Sequence, residues 1–173
     1  YGMDDATLNI IKNDYTQASI TRDATDGVKH NCYGFTDDGV VISGGVNGYL
    51  TAYNIDGEEI ARFTGHTGEV WSIAVDGYRL ISGSDDQTIM MWNLREINKN
   101  EEIKPILTMF NTSDNEWVIF NRDGFFDSST NGDRYIGFHI NQGADKEAKF
   151  YPMSTEYKSY QRPDIIKETI KEW

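Results

Sequence analysis

Val41-Ile42-Ser43-Gly44-Gly45, followed by Tyr53-Asn54-Ile55, is written a second time as Leu80-Ile81-Ser82-Gly83-Ser84, followed without a gap by Trp92-Asn93-Leu94. A unit repeating about every 40 residues is the signature of β-propeller blades. Each blade is a small four-stranded sheet that cannot bury both of its faces alone and is stable only between neighbours around a channel. The chain therefore reads as a surface-presenting scaffold before it reads as a catalyst.

Working outward, turn signals cut the sequence into short strands. In residues 30–68, strands are expected over Asn31–Thr36, Val40–Gly44, Tyr49–Ile55 and Glu59–Phe63, separated by Asp37-Asp38-Gly39, Asn47-Gly48 and Asp56-Gly57. Residues 69–110 repeat the plan with Val70–Val75, Arg79–Ser84 and Thr88–Leu94. A charged loop precedes an outer strand over Ile103–Phe110, where Pro105 is tolerated because an edge strand can lose a ladder donor. Residues 1–29 read as the end of a preceding blade. Residues 111–151 read as a final blade-like segment, including a strand over Arg134–Ile140. Residues 152–173 form a tail in which Pro163 opens a short amphipathic helix, with Ile165, Ile166, Ile170 and Trp173 on one face. The expected class is all-β: propeller blades, in a partial propeller, with a short C-terminal helix. Two recognisable blades are few for a closed ring, and the chain opens on Tyr1, so it reads as part of a larger polypeptide whose remaining blades, or further copies, close the propeller.

The formal net charge is −12, from 28 acidic and 16 basic residues. That balance disfavours nucleic acid, whose phosphates need clustered Lys and Arg, and anionic membranes for the same reason. Its plain consequence is solubility. The single Cys32 excludes an intrachain disulfide and fits a reducing, cytoplasmic setting, with the thiol packed as a small apolar group.

Val70-Trp71-Ser72-Ile73-Ala74-Val75, preceded by Gly65-His66 and followed by Ser82-Gly83-Ser84, Asp86 and Trp92-Asn93, resembles the WD40 repeat. The resemblance implies a structural tetrad, His66, Ser82, Asp86 and Trp92, hydrogen-bonded inside one blade. The first blade departs from the pattern, with Asn47 in the place of Asp86 and Tyr53 in the place of Trp92. His30 does not align with His66, and no tetrad is assigned there. A second resemblance runs through Trp117-Val118-Ile119-Phe120, Asp123-Gly124-Phe125-Phe126-Asp127, residues 131–141, Phe150-Tyr151-Pro152 and Tyr160-Gln161-Arg162-Pro163-Asp164. This series is similar to the segment that ends some bacterial WD40 proteins, certain of which also carry a caspase-like peptidase domain. It implies an alternative role as the sensor or regulatory module of such an effector.

No catalytic residue, cofactor or metal site is expected. His30, His66 and His139 form no ligand pattern. Asp127, Ser129, Asn131 and Gly132 have only partial calcium-loop spacing, with Phe138 where the closing Glu belongs, and read as turn residues. The expected function is a non-catalytic interaction scaffold that binds a protein or peptide through loops at one propeller face. Glu69, Trp71, Tyr78 and Trp117 are the candidate contacts. For Trp71, Tyr33 and Trp117, packing between blades and an aromatic rim at the channel mouth are both open readings.

Overall fold

The computed structural model describes residues 6–97, 102–143, 145–153 and 157–173. They fall into two compact units, one ending at Ile106 and the other beginning at Leu107.

The first unit opens with a hairpin, β1 (Thr7–Lys12) and β2 (Tyr15–Thr21). Asn13 and Asp14 join them with φ of 50° and 65°, a two-residue turn whose twist matches that of the strands. A four-stranded antiparallel meander follows: β3 (Cys32–Phe35), β4 (Val41–Gly44), β5 (Leu50–Tyr53) and β6 (Glu59–Phe63). A second meander contains β7 (Val70–Asp76), β8 (Arg79–Ser84) and β9 (Thr88–Asn93). Side-chain carboxamides fold the connections. Asn54 Oδ1 accepts from the backbone N–H of Asp56 and Glu58 and closes the β5–β6 turn.

One core fills the space between the two meanders. Ile42, Leu50, Ala52 and Phe63 from the first meet Val70, Leu80 and Trp92 from the second, all buried. Each such side chain contributes about 1.5–3 kcal/mol of transfer free energy. Phe63 meets Trp92 edge to face, with ring centroids 5.6 Å apart. Cys32 is buried in the same core, where desolvation pushes its thiol up to about 11, so it packs as an inert apolar group.

The single outer strand expected over Ile103–Phe110 is two strands. β10 (Glu102–Ile103) runs parallel to β6, with Ile103 opposite Phe63, and Ile103 is fully buried. Pro105 cannot donate to a ladder and constrains Lys104, which interrupts the strand. β11 (Leu107–Asn111) starts the second unit.

In that unit β11, β12 (Trp117–Asn121) and β13 (Phe126–Ser128) form an antiparallel sheet. The strand expected over Arg134–Ile140 begins later. Gly132–Tyr135 is a 3-10 turn, and only Gly137–Ile140 (β14) is extended, paired with β15 (Lys149–Pro152). Arg134 and Tyr135 instead direct their side chains to Asp114, at 2.9 and 2.8 Å, which draws this stretch out of a ladder. Helix α1 (Pro163–Glu172) carries Pro163 in its first turn, and Ile166 is its buried anchor. Ile170, expected on the same face, is exposed. Val118, Phe126 and Met153 form the core of this unit, with Phe138, Tyr157 and Tyr160 packed around them.

Gly48 is the tightest joint in the first unit. Its φ is +82°, and a Cβ there would lie 2.4 Å from the His66 carbonyl oxygen. Gly48→Ala is expected to destabilise the chain by more than about 2 kcal/mol, through both left-handed strain and overpacking, read as a lower midpoint in urea. An unchanged midpoint would mean that the β4–β5 turn does not press on the following connection.

Candidate functional site

The connection from β6 to β7 delivers His66 into the second meander, where the side chain is fully buried. There it bridges β8 to the β8–β9 turn. His66 Nε2 lies 2.7 Å from Ser82 Oγ, and Trp92 Nε1 donates to the same oxygen at 2.8 Å. His66 Nδ1 lies 3.0 Å from Asp86 Oδ2. One assignment of protons satisfies the whole chain. Trp92 N–H donates to Ser82, the Ser82 hydroxyl donates to Nε2, and Nδ1–H donates to the carboxylate. Asp86 is held in turn by the backbone N–H of Thr67 and Thr88, each at 2.9 Å, and by the Thr88 hydroxyl at 2.6 Å.

Burial moves His66 below its ordinary range, and the pull of Asp86 in the other direction is the smaller influence. For Asp86 burial pushes upward, but the hydrogen bonds from Thr88, Thr67 and His66 prevail and hold it below the usual carboxylate range. A neutral imidazole beside a carboxylate is the state the geometry requires. Ser82, His66 and Asp86 thus share the connectivity of a nucleophilic triad. Ser82 is fully buried, however, and its oxygen is engaged by the indole N–H, so no substrate carbonyl can reach it. The arrangement locks strand register.

The first meander holds a reduced version that alignment by position does not reveal. His30 is fully buried, with Nδ1 2.6 Å from Ser43 Oγ and Nε2 3.1 Å from the Ile20 carbonyl. Ser43 is the repeat equivalent of Ser82, and that was the available signal. The shorter connection hides the match, because His30 precedes Ser43 by less than His66 precedes Ser82. Asn47 Oδ1 accepts from the Tyr49 N–H, reproducing the turn that Asp86 makes with Thr88. Gly45 replaces Ser84 because Arg22 fills the space. A Cβ on Gly45 would lie 2.0 Å from the Arg22 guanidinium, which is buried and donates to the Ser43 carbonyl at 2.8 Å.

The four candidate contact residues do not converge. Glu69 and Trp71 flank the start of β7. Trp71 is the extra residue of a β-bulge: Val70 pairs with Ser84 and Ser72 with Gly83, leaving Trp71 unpaired. The bulge turns the indole outward, 53% exposed, whereas Val70 beside it is fully buried. Glu69 accepts from Asn31 Nδ2 at 3.3 Å, and its carbonyl accepts from the Asp85 N–H. Packing between blades therefore does not describe Trp71 here. Tyr78 lies past the other end of β7, roughly 20 Å along the strand direction, and the Arg95 guanidinium stacks 4.6 Å above its ring. Trp117 sits on β12 in the second unit and is partly buried.

In the second unit, Ser129 and Asn131 bind Glu116: the Ser129 hydroxyl and the Asn131 amide groups all donate to its carboxylate. They tie a turn to β12, as turn residues do. An apolar groove of about 550 Å³ lies between Phe120, Arg122, Phe138 and Phe150. Among the described residues, no three His, Cys, Asp or Glu side chains come together as a metal cage, and no helix is long and apolar enough to cross a membrane.

Residues 57–93, which contain His66, Ser82, Asp86 and Trp92, match the family model of the WD domain, G-beta repeat. The chain carries a WD40 repeat. It is 30% identical over 67 residues to ribosome biogenesis protein YTM1 of Eremothecium gossypii, covering 38% of this chain and 14% of that protein. It is 36% identical over 76 residues to nuclear distribution protein PAC1 of Scheffersomyces stipitis, covering 40% and 14%. The chain thus spans only a small part of the length of these fungal relatives. Among solved structures, the mitotic checkpoint complex aligns with 62% of this chain and 40% of the chain compared, at 18% identity and a TM-score of 0.44. The computationally designed Ika4 protein aligns with 62% and 72%, at 15% identity and a TM-score of 0.43.

Removing the His66 side chain leaves Ser82 and Asp86 short of a buried partner. His66→Ala is expected to cost about 1–3 kcal/mol in chemical denaturation. An unchanged midpoint would show that the network contributes nothing. Because the folded imidazole titrates below its ordinary value of 6.5, the unfolded chain takes up the proton first as pH falls. The His66 contribution is therefore complete above about 6.5 and is lost as pH drops through the depressed value. The gap in melting temperature between the parent and His66→Ala should narrow from about pH 7.5 to about pH 5.5. A gap that widens would contradict the assigned neutral state.

Proposed function

We propose that the chain is a non-catalytic protein-interaction scaffold, part of a larger WD40 propeller, and that the start of β7 is its contact surface. The observation that carries this reading is the bulge at Trp71. It costs a ladder position and yields an outward indole fixed on a rigid strand, beside the Glu69 carboxylate. Large aromatic side chains on rigid elements are the usual anchors of protein interfaces. The His66 network beneath is saturated and buried, so it supports the surface and does no chemistry on a ligand. The partner is a protein or peptide. The acidic balance of −12 favours one with a basic contact segment.

The WD40 relatives carry names from ribosome biogenesis and nuclear distribution, and those roles are properties of those proteins. The alternative, a regulatory module of a bacterial caspase-like peptidase, rests on sequence in the second unit and gains no support from these relatives.

The test is affinity capture with the natural polypeptide, followed by titration of the captured partner against single variants. Trp71→Ala is expected to weaken binding at least about tenfold, while unfolding shifts by no more than about 0.5 kcal/mol, as for an exposed side chain. Destabilisation by Trp71→Ala as large as that of His66→Ala would return Trp71 to the core. Unaltered affinity would move the contact surface elsewhere.

A further inference from the structure

The hairpin β1–β2 repeats β5–β6 position by position. Leu8 pairs with Ile20 as Leu50 pairs with Phe63, and Ile10 pairs with Ala18 as Ala52 pairs with Ala61. In both hairpins the register slips immediately after the second of these pairs. Packing repeats as well. Ile20 and Leu8 bury against Tyr53, the equivalent of Trp92, just as Phe63 and Leu50 bury in the core containing Trp92. The sequence ahead of the hairpin agrees. Gly2-Met3-Asp4-Asp5-Ala6-Thr7-Leu8 has the spacing of Gly83-Ser84-Asp85-Asp86-Gln87-Thr88-Ile89, the end of an inner pair and the turn into β9. By every one of these measures β1–β2 is the outer half of a blade.

The inner half of that blade would lie on a surface that is open here. On β7, Ile73 and Val75 stand opposite Ser82 and next to Leu80 in register, and β3 covers them: a Cβ on Gly34 would touch both. Their equivalents on β3 are Tyr33, opposite Ser43, and Phe35, opposite Val41. These are 39% and 71% exposed. They line a groove of about 540 Å³ with Leu8, Ile10, Ile11 and Ile55.

We propose that this groove is the seat of an antiparallel inner strand pair. The pair is built like β3–β4, hydrogen-bonded to the free edge of β1, and supplied by the same polypeptide immediately ahead of the Gly2-Met3-Asp4-Asp5 turn. Chain order decides for this source. In both meanders the inner pair comes first and enters the outer pair through one short turn. The strand lying over Tyr33 and Phe35 carries a small residue at the place of Gly34, since two aromatic rings already occupy the depth. A second copy of the chain cannot supply the pair, because its β3–β4 and β7–β8 are already joined to β5 and β9. This inference rests on the WD40 scaffold reading and deepens it.

The experiment extends the full chain at Tyr1 with a copy of Asn31–Ile42, which places the added pair in the natural register. A scrambled extension is the control. Amide exchange is followed strand by strand. The β1 amides that point away from β2 should exchange at least about tenfold more slowly with the copied extension than with the scrambled one, and Phe35→Asp in the extended chain should abolish the gain. Equal exchange in the two extended chains overturns the proposal. So does slow β1 exchange in the unextended chain accompanied by a concentration-dependent dimer, which would assign the groove to a second copy. Exchange in β7–β9 and binding at Trp71 report separately on the scaffold reading, so loss of either with β1 protected would sink that reading and leave the groove assignment standing.

Discussion

The Ser82 hydroxyl is the point on which the second meander depends. It is fully buried on a middle strand, and a hydroxyl stranded there costs about 1–3 kcal/mol. It is saved by two residues from opposite directions: Trp92 on the neighbouring strand and His66 from the connection. Because both must arrive together, β8, β9 and the chain leading to β7 have one mutual register. Trp92 then carries the constraint outward. Its ring meets Phe63 of the first meander, so the hydrogen bonds inside one sheet also set how that sheet lies on its neighbour.

The first meander solves the same problem with fewer parts. Ser43 is partnered by His30, and the place of the indole is taken by Tyr53, which packs on Leu8 and Ile20. The second nitrogen of His30 reaches the Ile20 carbonyl on β2, where that of His66 reaches a carboxylate. The reduced network therefore binds a neighbouring hairpin as well as its own sheet. Arg22 extends the same joint, threading under Gly45 to the Ser43 carbonyl.

Support and display are separated in this molecule. Polar groups with the chemistry for proton transfer are buried and saturated. The side chain with the largest capacity for contact, Trp71, is turned out by a single extra residue in β7. A bulge does this at little cost, because the ladder resumes at Ser72 and the apolar residues Ile73 and Val75 keep their face.

The repeat itself announced the meanders. Turn pairs at Asp56-Gly57 and Asp76-Gly77 and alternating apolar residues placed most strand centres in the first unit, since local sterics and period-two burial are written residue by residue. Strand ends and pairings set by distant groups were less legible. Ile103 leaves the expected outer strand because a buried site beside Phe63 competes for it and Pro105 breaks the ladder. Arg134 and Tyr135 leave theirs because Asp114 draws them away. The sequence by itself determined the blade plan and the four residues His66, Ser82, Asp86 and Trp92 as a set, because composition and spacing carry that information. Only the tertiary structure decided that His30 reaches Ser43, that Trp71 faces outward, and that Tyr33 and Phe35 lie open. Each of these depends on what the neighbouring strands leave covered, and no local pattern encodes that.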